Sequence, residues 1–263
     1  MSRVFLNYGV LLLLLFQFTS CLKDKDYRDP IYFFYDEPVV VEQLGAYPIV
    51  RNQFNSFYAP GLADNSALKE GDLLWSSFIV DLGNKDIPSN LSTIKYTAQN
   101  IKYEIVECSN LIVTANSDEF ELILSNDFSY PIESSVLFRY AIDSIWFMGF
   151  KHYQNNSNQL HYTYELVLNP VIEQNSYNSP TFYIRAKQVN SPGPNKAKDE
   201  NGRNVFAFDV SDFVKYYKEE ISPTGLLRFN LKYKTGVDNE GKDIYKEFLS
   251  NPISWNFNSA KPK

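Results

Sequence analysis

The sequence predicts a mainly β chain, and three observations carry that expectation. Aromatic residues make up 16% of the 263, with 20 Phe and 19 Tyr, and flat rings pack well on a pleated surface. Apolar and polar residues alternate over short stretches, most clearly at Leu227, Phe229, Leu231 and Tyr233 against Arg228, Asn230, Lys232 and Lys234. Only one or two stretches keep a helical period. With 11 Gly and 13 Pro, collagen-like and low-complexity readings fail. The length exceeds the usual one-domain size of about 100–200 residues, so two small domains or one large β domain are both allowed.

Residues 1–20 read as a lipoprotein signal peptide. Arg3 precedes an unbroken apolar run from Val10 to Phe16. That run is too short to cross a bilayer of about 30 Å as a helix of about 20 residues. Thr19 and Ser20 place small residues directly before Cys21, although Phe18 stands where Leu is commonest. Cleavage between Ser20 and Cys21 would free a cysteine for lipid attachment, the expected role of Cys21. Each buried methylene of an acyl chain contributes about 0.8 kcal/mol, so two or three chains hold a domain on a membrane. The alternatives weighed are a plain secretory signal and a buried core helix.

Residues 21–36 read as a tether, because the charged run Leu22–Pro30 cannot bury itself. Its acidic residues, interleaved with basic ones, resemble the export signal that sends lipoproteins of Bacteroidota to the outer face of the outer membrane. Short strands then begin near Val39. Leu73–Val80 follows the turn Lys69–Asp72, and Ile101, Tyr103 and Ile105 line one apolar face. Ser109 and Asn110 turn the chain into Leu111–Thr114, and Phe120, Leu122 and Leu124 follow. The Ser125–Asp127 stretch and Pro131 break this run, which divides the chain into a β domain at 37–130 and another at 131–263.

In the second half, Ile142–Met148, His161–Leu168, Thr181–Ala186 and Val205–Val210 read as strands. Asn190–Asn204, rich in Pro, Lys and Gly, reads as a long mobile loop. Ser211 can cap a short helix over Asp212–Glu220, with Phe213, Tyr216 and Tyr217 on one side. Gly236–Lys242 turns the strand ending near Lys234 back into Ile244–Phe248 as a hairpin.

This order of landmarks resembles the NigD-like lipoproteins of Bacteroidota. The features that carry the resemblance are Cys21, Leu68–Asp72 running into an apolar strand, Asp143–Trp146, and Val205–Ser211 with its Phe-Asp-hydrophobic-Ser pattern. Leu73 and Leu74 stand where that family commonly has Arg-Val. The resemblance implies an OB-like N-terminal barrel followed by a C-terminal β-sandwich, with no assigned biochemical role. The family's name comes from a bacteriocin gene cluster, so a self-protection factor is one alternative; an envelope hydrolase is another.

The chemistry on offer is thin. Zinc needs three or four convergent ligands, whereas His152 and His161 lie nine positions apart with no cysteine pair to help. No Gly-x-Ser-x-Gly elbow supports a hydrolase. The acidic turns Asp199–Gly202 and Asp238–Asp243 carry oxygens that suit calcium but lack EF-hand spacing, and Asp, Asn and Gly also suit tight turns. Asp143–Ile145 resembles the O-glycosylation tripeptide of Bacteroidota, with Ser144 as acceptor. Asn55–Tyr58 and Tyr177 put aromatics in loops, where they can serve as sugar platforms or as packing. Cys108 reads as a buried small hydrophobe. A formal charge of -6 gives no attraction for phosphate backbones, so no nucleic acid is expected. The expectation is therefore a non-catalytic binding or accessory protein at the envelope. It would use no cofactor and no metal, be anchored to the outer membrane through Cys21, and meet a protein, peptide or glycan partner.

Overall fold

Alternation along β4 (Leu73–Asp81) sets the plan of the first half. In the computed structural model, which describes residues 30–83, 86–114, 131–133, 137–152, 161–168, 180–189, 197–198, 201–213, 226–249 and 253–254, Leu74, Phe78 and Val80 point into a closed barrel. The barrel is built from β1 (Ile31–Gln43), β2 (Ile49–Arg51), β3 (Ser56–Tyr58), β5 (Tyr96–Ile105) and β4, in that spatial order. All pairings are antiparallel except β3 with β5. Val39, Val41, Val50, Phe57 and Ala98 fill the inside, and Leu62 of a short 3-10 turn at Pro60–Leu62 joins them. Each of the Val, Leu and Phe side chains contributes about 1.5–3 kcal/mol by leaving water. The turn into β4 needs a left-handed residue, supplied by Gly71 (φ 91°), whose amide donates to the Val41 carbonyl at 2.8 Å.

The second half is a β-sandwich. One sheet orders β15 (Asp243–Leu249), β14 (Asn230–Val237), β11 (Thr181–Val189), β10 (His161–Leu168) and β7 (Ile112–Val113). The other orders β6 (Cys108–Asn110), β12 (Asn204–Asp209), β9 (Ile145–Phe150) and β8 (Leu137–Ile142). Between them lies an aromatic core. Trp146 stacks on Phe229 at 4.5 Å between ring centres and meets Phe182 edge-on at 5.1 Å, and Phe150 stacks on Tyr164 at 4.2 Å. A small sheet of β13 (Leu226–Leu227) and β16 (Ile253–Ser254) stands apart.

An apolar seam joins barrel to sandwich. Leu73 and Trp75, on the outer face of β4, cluster with Ile142, Phe147, Val205 and Ala207 on the outer face of the four-stranded sheet. This explains why β9 reads as a continuous apolar run: Trp146 and Met148 face the sandwich core, Phe147 faces the barrel. Beside the seam, Arg51 of β2 reaches Asp143 in the turn between β8 and β9.

The mainly β class, the OB-like barrel and the sandwich stand as expected. Several details differ. β1 starts at Ile31, inside the segment expected as tether, and pairs there with Asp81 of β4. β6 and β7 pair in parallel with β12 and β10, so residues 108–113 belong to the sandwich sheets rather than to the barrel. The single strand expected over Ile142–Met148 is a hairpin corner, because Asp143 adopts φ 53° and turns β8 into β9. Asn230, expected outward, is buried beside Thr181. Of the expected loop at 190–204, the described end is pinned: Val205 N donates to Ala197 O at 2.7 Å and Lys198 N to Glu104 at 2.9 Å. Ser20, Cys21, the strand expected at 120–124 and the break at 125–130 lie outside the described residues, as does the expected helix beyond Phe213. Among the described residues no helix is long and apolar enough to cross a membrane.

Candidate functional site

The N-terminal half of β1 closes one end of the barrel with rings. Tyr32 and Phe34 turn inward at successive even positions, and Phe34 stacks on Phe78 of β4 at 4.7 Å, nearly parallel. Phe57 of β3 meets both edge-on, at 5.7 and 5.2 Å, and lies 6.2 Å from Tyr96 of β5. Above these rings opens a cavity of about 200 Å³, lined by Tyr32, Phe34, Asn55, Phe57, Tyr96 and the aliphatic ends of Val80 and Leu82. Phe57 and Val80 form its buried floor, while Tyr32, Asn55 and Leu82 are exposed at its rim. The Asn55 amide N–H is tied to Asn52 Oδ1 at 2.8 Å, which fixes the rim loop. Asn52 itself is buried and donates to Glu37 at 2.6 Å. The mouth thus offers ring faces, two phenols and one carboxamide. That set can hold a flat, partly apolar group by stacking and orient it by hydrogen bonds. It contains no nucleophile beside a base.

The residues singled out by sequence are scattered. His152 lies at the far sandwich, where Nδ1 is 2.8 Å from Pro131 O, Nε2 is 2.9 Å from the Tyr164 hydroxyl, and the ring stacks on Tyr162. His161 belongs to β10, with its side chain outside the described residues. In the turn at Asp238–Asp243, Asp238 Oδ1 accepts the amides of Glu240 and Lys242 at 2.9 and 2.8 Å, and Asp243 pairs with Lys234 at 2.6 Å. Those carboxylates serve the hairpin. Among the described residues no group of three His, Cys, Asp or Glu side chains gathers to hold a metal. Ser144 donates to Asp209 at 3.1 Å and is half-buried, in a turn rather than a strand. Tyr177 and Asp199 lie outside the described residues.

Cys108 corrects its expectation. It sits on β6 at the sheet edge and is exposed, yet its thiol pKa is pushed up to about 11. Desolvation of the sulfur is the main cause and the charge of Asp209 adds to it, while a hydrogen bond with the Asp209 backbone opposes them in part. The thiol donates to the Ser109 carbonyl at 3.8 Å.

Of the loop expected at Asn55–Tyr58, Phe57 is core and Asn55 is rim. Sequence reading missed Tyr32, Phe34 and Tyr96. The signal for the first two was the run Ile31–Tyr35, five large apolar residues directly after a charged stretch.

No protein-family model matches the chain, and no curated protein matches it significantly. Solved structures do. An uncharacterized protein from Parabacteroides merdae ATCC 43184 is 12% identical, covers 82% of this chain and 96% of its own, and superposes with a TM-score of 0.57. A protein of unknown function from Bacteroides vulgatus ATCC 8482 is 14% identical, covers 86% and 92%, and scores 0.50. A third, a proposed lipoprotein of Bacteroides fragilis NCTC 9343, is 11% identical over 88% of this chain and 100% of its own; its score of 0.49 is too low to bear on the fold. At these identities the likeness to the first two is one of fold.

Proposed function

We propose that this protein is exported, held at the outer membrane by lipid on Cys21, and acts there as a non-catalytic binding protein through the aromatic mouth of its barrel. The observation that carries the reading is the mouth itself: four rings around about 200 Å³, with phenol and carboxamide groups at the rim. That volume suits one ring-sized group, below the usual range of about 300–1,000 Å³ for larger ligands. A sugar unit of an envelope glycan has the right chemistry, with an apolar ring face for Tyr32 or Tyr96 and hydroxyls for Asn55. The anchor reading is supported by Thr19, Ser20 and Cys21 behind the apolar run, and the resemblance to NigD-like lipoproteins agrees with it.

The placement of His152 supports the non-catalytic reading. A general base must reach its proton within about 2.6–3.2 Å, and both nitrogens of His152 are already engaged in the fold. Three experiments test the reading. The mature chain is screened on glycan arrays beside the variants Tyr32→Ala and Tyr96→Ala; specific binding lost in both supports it. Hydrolase turnover that disappears in His152→Ala would overturn it. Lipid labelling in cells tests the anchor: Cys21→Ser should lose the label, and equal labelling would defeat the lipoprotein reading.

A further inference from the structure

We propose that the outer face of the first strand, Ile31, Phe33 and Tyr35, seats the barrel on the surface of a phospholipid bilayer. These three side chains point away from the barrel, opposite to Tyr32 and Phe34. Ile31, Phe33 and Tyr35 keep 51%, 58% and 70% of their surface exposed, and Tyr32 on the rim keeps 50%. Phe33 and Tyr35 lie parallel, 6.2 Å between ring centres, and Ile79 of β4 stands directly across from Phe33. Isolated exposed apolar residues are ordinary on a soluble protein; a contiguous patch of large ones marks an interaction surface.

The chain itself says what covers this patch. The inference rests on the reading that Cys21 carries lipid. Ile31 stands ten chain steps beyond Cys21. Fully extended they span about 35 Å, and as a flexible coil roughly 17 Å. The start of β1 is therefore the part of the folded body that the anchor holds closest to the bilayer. Phe and Tyr are suited to that place, because their rings enter the headgroup boundary while a phenol stays wet. Lys23, Lys25 and Arg28 before the strand are balanced by Asp24, Asp26 and Asp29, so charge adds no net attraction to lipid phosphates and the seat rests on the apolar side chains. The acidic groups at the patch are Asp81, across from Ile31, and Asp36, which accepts the Trp75 indole N–H at 3.0 Å. A shallow seat leaves both carboxylates in water.

The test uses an artificial tether, so that it does not depend on lipidation. The mature chain from residue 22, with an N-terminal histidine tag, is bound to nickel-chelating vesicles of phosphatidylethanolamine with a minority of phosphatidylglycerol. Bromine-labelled acyl chains then quench any tryptophan that enters the bilayer. Relative to the wild type, the added tryptophan in Phe33→Trp should be quenched several-fold more than the one in Phe248→Trp, an exposed position on β15. Adding Ile31→Asp and Tyr35→Asp to Phe33→Trp should abolish the difference; all three sites are exposed, so folding should persist, as circular dichroism would verify. Equal, weak quenching at both positions overturns the proposal. So does a vesicle-free dimer that Tyr35→Asp makes monomeric, which would assign the patch to a second copy. Failure of lipid labelling at Cys21 is a separate result and leaves this measurement standing.

Discussion

The imidazole of His152 bridges the Pro131 carbonyl and the Tyr164 hydroxyl, at 2.8 Å from Nδ1 and 2.9 Å from Nε2. A carbonyl can only accept, so Nδ1 carries the proton; in the neutral ring Nε2 then accepts from Tyr164. Asn204 donates to the same tyrosine oxygen at 3.3 Å. Tyr164→Phe removes the hydroxyl that donates to Nε2 in a half-buried site. The expected cost is about 1–3 kcal/mol in urea unfolding. A loss below about 0.5 kcal/mol would show that the bridge adds nothing beyond ring packing.

The same tyrosine makes the fold sensitive to alkali. Burial holds the Tyr164 hydroxyl well above the usual tyrosine pKa of 10.0, and the nearby Tyr162 and Glu107 push the same way. Asn204, as a hydrogen-bond donor, opposes them in part. The folded state therefore favours the neutral phenol, and this stabilisation is complete below the unfolded pKa. As pH rises above about 10, the unfolded chain releases this proton first and stability falls. Tyr164→Phe should show a shallower decline of unfolding free energy above that pH. Parallel declines in the two proteins would assign the alkaline loss elsewhere.

Among the contacts that join barrel and sandwich are a charged clamp and an apolar seam, and the magnitudes say which of these two dominates. Arg51 Nε meets Glu42 at 2.5 Å, and its Nη2 meets Asp143 at 2.5 Å. Burial works against the guanidinium charge, but Asp143 and Glu42 outweigh it and raise its pKa. Because these groups are about a quarter to a third exposed, Arg51→Met should cost only about 1 kcal/mol. Trp75→Ala empties a buried site in the seam and removes the indole N–H that Asp36 accepts, so about 3–5 kcal/mol is expected. Thermal unfolding of both variants checks the ranking. An Arg51→Met loss as large as that of Trp75→Ala would reverse it.

Legibility followed the period of the chain. Phe229, Leu231 and Tyr233 are buried as their alternation predicts, and β14 pairs with β15 through the expected turn. Alternation fails where both faces of a strand are covered. In β9, Trp146 and Phe147 are both fully buried on opposite sides, so no polar face marked the corner at Asp143. Parallel pairing of β6 with β12 joins Cys108 to Ala207 across most of the sandwich sequence, beyond the reach of any local pattern. The aromatic mouth was hidden for a third reason. Ile31–Tyr35 adjoins a charged tether, and composition alone does not say that Tyr32 and Phe34 turn inward while Phe33 and Tyr35 turn out.

Cys108 gives a chemical readout of the junction between strands. An exposed thiol in water reacts readily with alkylating agents, because a usable fraction is thiolate near neutral pH. Here desolvation, with the Asp209 charge behind it, moves the pKa from 9.0 to about 11. At pH 8 the thiolate then falls from about a tenth of the thiol to about a thousandth, a drop of roughly a hundredfold. Iodoacetamide should therefore label the native protein far more slowly than the chain unfolded in urea, despite the open position of the residue. Asp209→Asn should speed native labelling only in part, since desolvation is the larger cause. Asp209 also accepts from Ser144 and the Ser211 amide, so circular dichroism must first show that this variant keeps its fold. Native labelling as fast as in urea would show that the sulfur is fully hydrated, and that the edge strand β6 does not shield it.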